Sequence, residues 1–165
     1  MNDICKRRAT KAFNYFCRSM NIDRSEVVLR FVESAKLNEN EGVENVYGDN
    51  ETIACVDMPG VRRKRYCVSI SNRADISGDL VVESIAHELV HVMQHRDGRL
   101  VIFGRNDADM SYEFEGIKYD TFKTHMDYFT APWEIEARLN SRKMVVEFNR
   151  YMRDNASHRV IKKLN

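Results

Sequence analysis

Two histidines and a glutamate within five consecutive residues, His87-Glu88-Leu89-Val90-His91, are the part of this 165-residue sequence best suited to chemistry. On an α-helix the four-residue spacing puts both imidazoles on one face, about one turn apart. Two neutral imidazole nitrogens so placed can bind one Zn2+ at roughly 2.0–2.1 Å. Glu88 follows the first histidine, where its carboxylate would face a water on the ion rather than the ion itself. In His-Glu-x-x-His the glutamate serves as general base. Zinc brings the pKa of its water toward about 7, and the carboxylate takes the proton as that water attacks a peptide carbonyl. Two solvated histidines on a helix surface would match the same spacing. The flanks Val81, Val82, Ile85, Ala86, Leu89, Val90 and Val92 instead predict a buried helix. Two histidines and a glutamate there would be costly without a partner such as a metal.

A catalytic zinc takes three protein ligands and keeps a fourth position open. The candidates for the third are Glu134, 43 residues beyond His91, and Glu136, in the segment Pro132-Trp133-Glu134-Ile135-Glu136-Ala137-Arg138. Helix positions two apart point about 200° apart, so only one of the pair can face the ion. Either could instead be a solvated first-turn acid favoured by the helix dipole. His95 reads as a helix-end residue, because a fourth protein ligand would close the site. Trp133, the single tryptophan, reads as an anchor between helix and core. Gln94 lies near the motif with no role that the sequence assigns.

The elements that must hold these residues follow from periodicity and from turn residues. Residues 3–19 have helical apolar spacing, and a second helix is predicted from Arg24 to about Leu37 with Asp23 as N-cap. Asn38–Asn50 is polar and reads as loop or a weak hairpin. Thr52–Val56 and Arg65–Ile70 are rich in β-formers and flank Pro59-Gly60, which predicts a hairpin with the basic run Arg62-Arg63-Lys64-Arg65 at its tip. The motif helix is expected over about 79–96, capped by Ser77 or Asp79. Leu100–Phe103 follows as a short strand and Tyr112–Tyr119 as a small hairpin around Gly116. Pro132 is well placed to open a last helix running to about Asp154, followed by a basic, frayed tail over 155–165. The whole reads as one α+β domain over 1–165, with an N-terminal helical part (1–50), a catalytic core (51–154) and the tail.

Composition sets outer bounds. With 43% hydrophobic residues the chain can bury a core, and a net charge of +1 gives no whole-chain attraction to nucleic acid or membrane. No stretch of about 18 apolar residues occurs, so no membrane-spanning helix is expected, and no secretory leader is apparent. Cys5, Cys17, Cys55 and Cys67 are widely spaced without a Cys-x-x-Cys pair. They predict reduced, mostly buried thiols and a cytoplasmic location. The run Arg62–Arg65 reads as a solvated tip; a contact with phosphates or an acidic substrate is the sharper alternative.

His87-Glu88-Leu89-Val90-His91 with a downstream glutamate on a second helix resembles the gluzincin branch of zinc metallopeptidases. Tyr128-Phe129-Thr130-Ala131-Pro132-Trp133-Glu134-Ile135-Glu136-Ala137 is similar to the matching segment of small phage and bacterial peptidase-like proteins. The resemblance covers roughly Val68 to Arg138. Likeness to the Glu-x-x-Ala helix of ImmA/IrrE-like and SprT-like proteins implies Glu134 as third ligand, three residues before Ala137. It implies a zincin-like fold, Zn2+ held by His87, His91 and Glu134, Glu88 as base, and a protein or peptide substrate. In gluzincins a tyrosine or histidine often stabilises the oxyanion; Tyr119, His125 and Tyr128 are the candidates, with Tyr128 preferred. The Cys-paired zinc ribbon of many SprT-like proteases has no counterpart here, which weakens a nucleic-acid-dependent protease reading. A catalytically silent zinc-binding regulatory protein is the other alternative, and loss of hydrolysis with retained zinc in Glu88→Gln separates it from an enzyme.

Overall fold

The computed structural model describes residues 1–33, 53–59, 64–73, 75–103, 111–119 and 125–164, with side chains of the last segment described over 127–156. Helix α1 (Asp3–Ser19) forms where expected: Asn2 caps it by accepting from the Cys5 amide, and Ala9, Ala12, Phe13, Phe16 and Cys17 line its buried face. The helix predicted from Arg24 is not present. Val27–Val32 is strand β1, and Asp23 turns the chain by accepting from the Ser25 amide at 2.7 Å instead of capping a helix. Val27, Val28, Phe31 and Val32 fit helical spacing as well as a strand, but β-branched and aromatic residues favour the pleated surface when a partner strand is available.

That partner is β3 (Tyr66–Ser71), which pairs with β1 in parallel from Val27↔Tyr66 to Val32↔Ser71. Strand β2 (Ala54–Asp57) pairs with β3 antiparallel, Ala54 opposite Ile70 and Asp57 opposite Cys67. The order β1-β3-β2 puts β3 in the middle, every residue buried. The sheet over the motif helix is therefore mixed rather than antiparallel, since the N-terminal segment contributes a strand. The expected loop at 38–50, and Arg62 and Arg63 of the basic tip, lie outside the described residues.

Helix α2 (Gly78–Arg96) carries the His-Glu-x-x-His motif. Ser77 is the cap, accepting from the Leu80 amide at 3.2 Å, while Asp79 pairs with Arg8 on α1. Helix α2 ends at Asp97, and Gly98 takes φ +70°, the left-handed conformation that glycine adopts without strain. The chain then builds an antiparallel sheet from β4 (Leu100–Phe103), β5 (Ser111–Phe114) and β6 (Ile117–Tyr119). Glu115 and Gly116, both at positive φ, close the β5–β6 hairpin.

A short helix, α3 (His125–Phe129), leads to α4 (Pro132–Leu164). Helix α4 continues ten residues beyond the expected end at Asp154, through the segment expected to fray. Residues 155–164 contain neither glycine nor proline to stop it. The fold class is α+β, as expected. Cys5, Cys17, Cys55 and Cys67 are all free thiols, two of them buried. Among the described residues no helix is long and apolar enough to cross a membrane.

Two apolar clusters hold these elements. The larger joins α1, the mixed sheet, α2 and Phe148 of α4; the smaller is Leu100, Phe114, Ala131 and Trp133. Phe148 packs on Phe16 and Tyr15 with ring centroids 5.6 Å apart in each case, tying α4 to α1. Truncating a fully buried phenylalanine costs about 3–5 kcal/mol. Phe148→Ala is therefore expected to shift the denaturant midpoint down sharply, and an unchanged midpoint would show that α4 is not held through this ring.

Candidate metal centre

The motif histidines lie on the side of α2 that faces the first turn of α4. His87 and His91 meet edge to face with centroids 4.6 Å apart, and their Nε2 atoms are 3.0 Å from each other. Glu134, in the first turn of α4, puts Oε2 3.2 Å from His87 Nε2 and Oε1 3.1 Å from His91 Nε2. A tetrahedral zinc with ligands at roughly 2.0–2.1 Å separates its donor atoms by about 3.3 Å. The two Nε2 atoms are 3.0 Å apart and each faces its own oxygen of Glu134 at 3.1–3.2 Å, so two imidazoles and a carboxylate, a donor set that suits zinc, stand near that separation. His87 is the most exposed of the three, and His91 and Glu134 are buried.

Glu136 points elsewhere, as helix geometry demands. Arg99 grips its two oxygens at 2.8 and 2.7 Å and also meets Glu115 at 2.6 Å, latching the β5–β6 turn to α4. Of the two acids that the sequence left open, Glu134 faces the histidines and Glu136 faces Arg99.

Electrostatics follow from burial and proximity. Burial pushes the Glu134 carboxyl up, but hydrogen bonds from His87 and His91 together with their charge hold it well below the ordinary carboxylate range. Burial pushes His91 down, yet its bond to Glu134 and the charges of Glu134 and Glu88 raise it to about 9. Glu88 is raised by burial, and only partly brought back by His91 and His87. No hydrogen bond engages Glu88 among the described residues, so its carboxylate is held by packing and left available. Burial, the Glu134 charge and a hydrogen bond with Glu134 push the half-buried Tyr128 phenol well above its ordinary value, keeping it a neutral donor.

The metal-free centre therefore holds a proton on His91 at neutral pH. An entering ion must displace it, since ligation requires neutral imidazole. The sign follows directly: below about pH 9 His91 carries that proton, so zinc affinity is expected to climb with pH up to that region and level off above it. Calorimetry in buffers of different ionisation enthalpy should show release of about one proton per zinc at pH 7. Affinity flat between pH 6 and 9 would contradict this charge distribution.

Three neighbours carried no assigned role in the sequence. Gln94, buried, lies with Oε1 2.8 Å from His91 Nδ1 and donates from Nε2 to the Trp133 carbonyl at 3.0 Å. Arg138, one turn after Glu134, sets Nη1 3.7 Å from its Oε2 while Nη2 donates to the Phe129 carbonyl. Arg99 is the third. The i,i+4 spacing of Glu134 and Arg138 is a signal that could have flagged the second, and the i,i+3 spacing of His91 and Gln94 puts those two on one helix face; the bonds of Gln94 to Trp133 and of Arg99 to Glu136 span long separations that leave no local pattern. His95 stays out of the cluster and bonds Tyr66 Oη through Nδ1 at 2.9 Å. Tyr119 packs edge-on against Trp133, 5.2 Å between centroids, and Trp133 anchors the smaller apolar cluster as expected. The His125 side chain lies outside the described residues. Among the described residues, His87, His91 and Glu134 are the group of histidine, cysteine and acidic side chains that could hold a metal ion. Comparison with protein-family models, curated proteins and solved structures found no match to this chain.

Proposed function

We propose that the chain is a zinc-dependent peptidase of zincin-like, gluzincin-type architecture, acting on a protein or peptide in the cytoplasm. The observation that carries the reading is the convergence of His87, His91 and Glu134 from two helices, at zinc-ligand spacing, with the buried carboxylate of Glu88 beside them. A bound Zn2+ would supply Lewis acidity, polarising a carbonyl oxygen and lowering the pKa of a water toward about 7.

The remaining chemistry belongs to the side chains. Glu88 lies next to His87 in sequence and within the charge field of both histidines and of Glu134. Raised by burial, it is suited to taking a proton from the attacking water and passing it to the departing amine nitrogen. Glu134 stays ionised and holds both imidazoles in place. Tyr128, kept neutral, is the donor proposed for the oxygen that gains charge as the carbonyl is attacked. Four free thiols fit a reducing compartment.

The test is metal content with activity. Purified protein should contain one zinc per chain and cleave an unstructured protein substrate. A chelator should stop cleavage, and added zinc should restore it. Stoichiometric zinc without hydrolysis of any unfolded substrate would leave a zinc-binding protein and sink the enzyme.

A further inference from the structure

A backbone carbonyl can only accept a hydrogen bond, so the 3.0 Å contact between Gln94 and the Trp133 carbonyl must be made by the amide nitrogen. That fixes the amide. Its oxygen faces the other way, 2.8 Å from His91 Nδ1. An amide oxygen also only accepts, so Nδ1 carries the hydrogen, and in neutral imidazole the lone pair then lies on Nε2. His91 Nε2 is the nitrogen that faces His87 Nε2 at 3.0 Å and Glu134 Oε1 at 3.1 Å. We infer that Gln94 is a positioning residue through which the backbone of Trp133 sets the tautomer and ring angle of His91. The peptide unit that leads into Glu134 thereby also orients the ligand opposite it. This inference rests on the metal-centre reading above.

The anchor is firm. The Trp133 ring is 1% exposed, stacked on Tyr112 at 5.1 Å and edge-on to Tyr119. The β4–β5–β6 sheet fixes Trp133 through these rings and so reaches His91 through one side-chain amide. A carboxylate, carbonyl or water is the usual partner for the far nitrogen of a ligating histidine. Here the amide keeps that hydrogen bond without adding a third negative charge beside Glu88 and Glu134.

The experiment compares wild type, Gln94→Met, which loses both bonds, and Gln94→Glu, which keeps the acceptor but loses the donor to Trp133. Zinc affinity is read by chelator competition, geometry by the absorption bands of the Co2+-loaded protein, and the tautomer by 15N NMR of the imidazoles. Gln94→Met is expected to bind zinc about 10–100-fold more weakly and to shift the Co2+ bands, while Gln94→Glu, cut off from the Trp133 carbonyl, recovers the affinity only in part and keeps shifted bands. In zinc-loaded wild type the His91 proton should sit on Nδ1. Equal affinity and equal Co2+ spectra for wild type and Gln94→Met would overturn the inference while leaving the metal centre standing. Wild type that binds no zinc would instead overturn the metal centre itself. If Gln94→Met does not fold, the wild-type spectrum still decides: a proton on His91 Nε2 with the ion on Nδ1 refutes the role given to Gln94.

Discussion

Glu88→Gln is expected to lower peptide hydrolysis by about 10²–10⁴-fold, the range that a positioned general base contributes, with one zinc per chain retained. The two side chains are nearly isosteric, and no hydrogen bond engages Glu88 among the described residues, so the substitution removes a proton acceptor and little else. It also removes a buried negative charge whose ionised form burial disfavours. Melting of the metal-free protein should therefore not fall. Three readings together make the case: rate lost, zinc kept, fold kept. Wild-type rates in Glu88→Gln would remove Glu88 from the chemistry, and loss of zinc would make it a ligand instead of a base.

The second large effect separates two acids that sequence spacing leaves equivalent. Glu134→Ala should weaken zinc binding by more than the roughly 10–100-fold that loss of an outer partner brings, and hydrolysis should fall with it. It removes the carboxylate that meets both histidines. The proton held on His91 should also be lost near neutral pH, because its largest stabilising partner is gone. Glu136→Ala should leave zinc and chemistry intact, freeing Arg99 from α4. Arg99 is over a third exposed, so solvent screening holds that loss to about 1 kcal/mol of stability. If Glu136→Ala abolished zinc binding and Glu134→Ala did not, the assignment of the third ligand would be reversed.

What the sequence revealed of the site, and what it hid, follows from how local each signal is. His87, Glu88 and His91 are legible because one helix turn places them, and Val81, Val82 and Leu89 around them predict its burial correctly. Glu134 required a second helix, and Pro132 marked its start. The segment Val27–Val32 misled because its apolar residues fit helical spacing, while the partner that makes it a strand, Tyr66–Ser71, lies far along the chain. The end of α4 was misplaced for a related reason: a basic composition reads as solvated, yet nothing in it breaks a helix. Gln94 was invisible in a stronger sense. Its two bonds reach a histidine three residues back and a carbonyl 39 residues on, and no pattern of polarity or spacing marks a glutamine that does this.

His91 and Glu134 stand 43 positions apart in the chain, so an ion held between them acts as a staple as well as a reagent. An ion that binds only the native form leaves the unfolded ensemble untouched and adds RT ln(1 + [L]/Kd) to the stability of the fold. The melting temperature should then rise with free zinc concentration, by about 2.7 kcal/mol of stabilisation at one hundred times the dissociation constant. Supply of the metal would in that way set how long the molecule survives as well as whether it works.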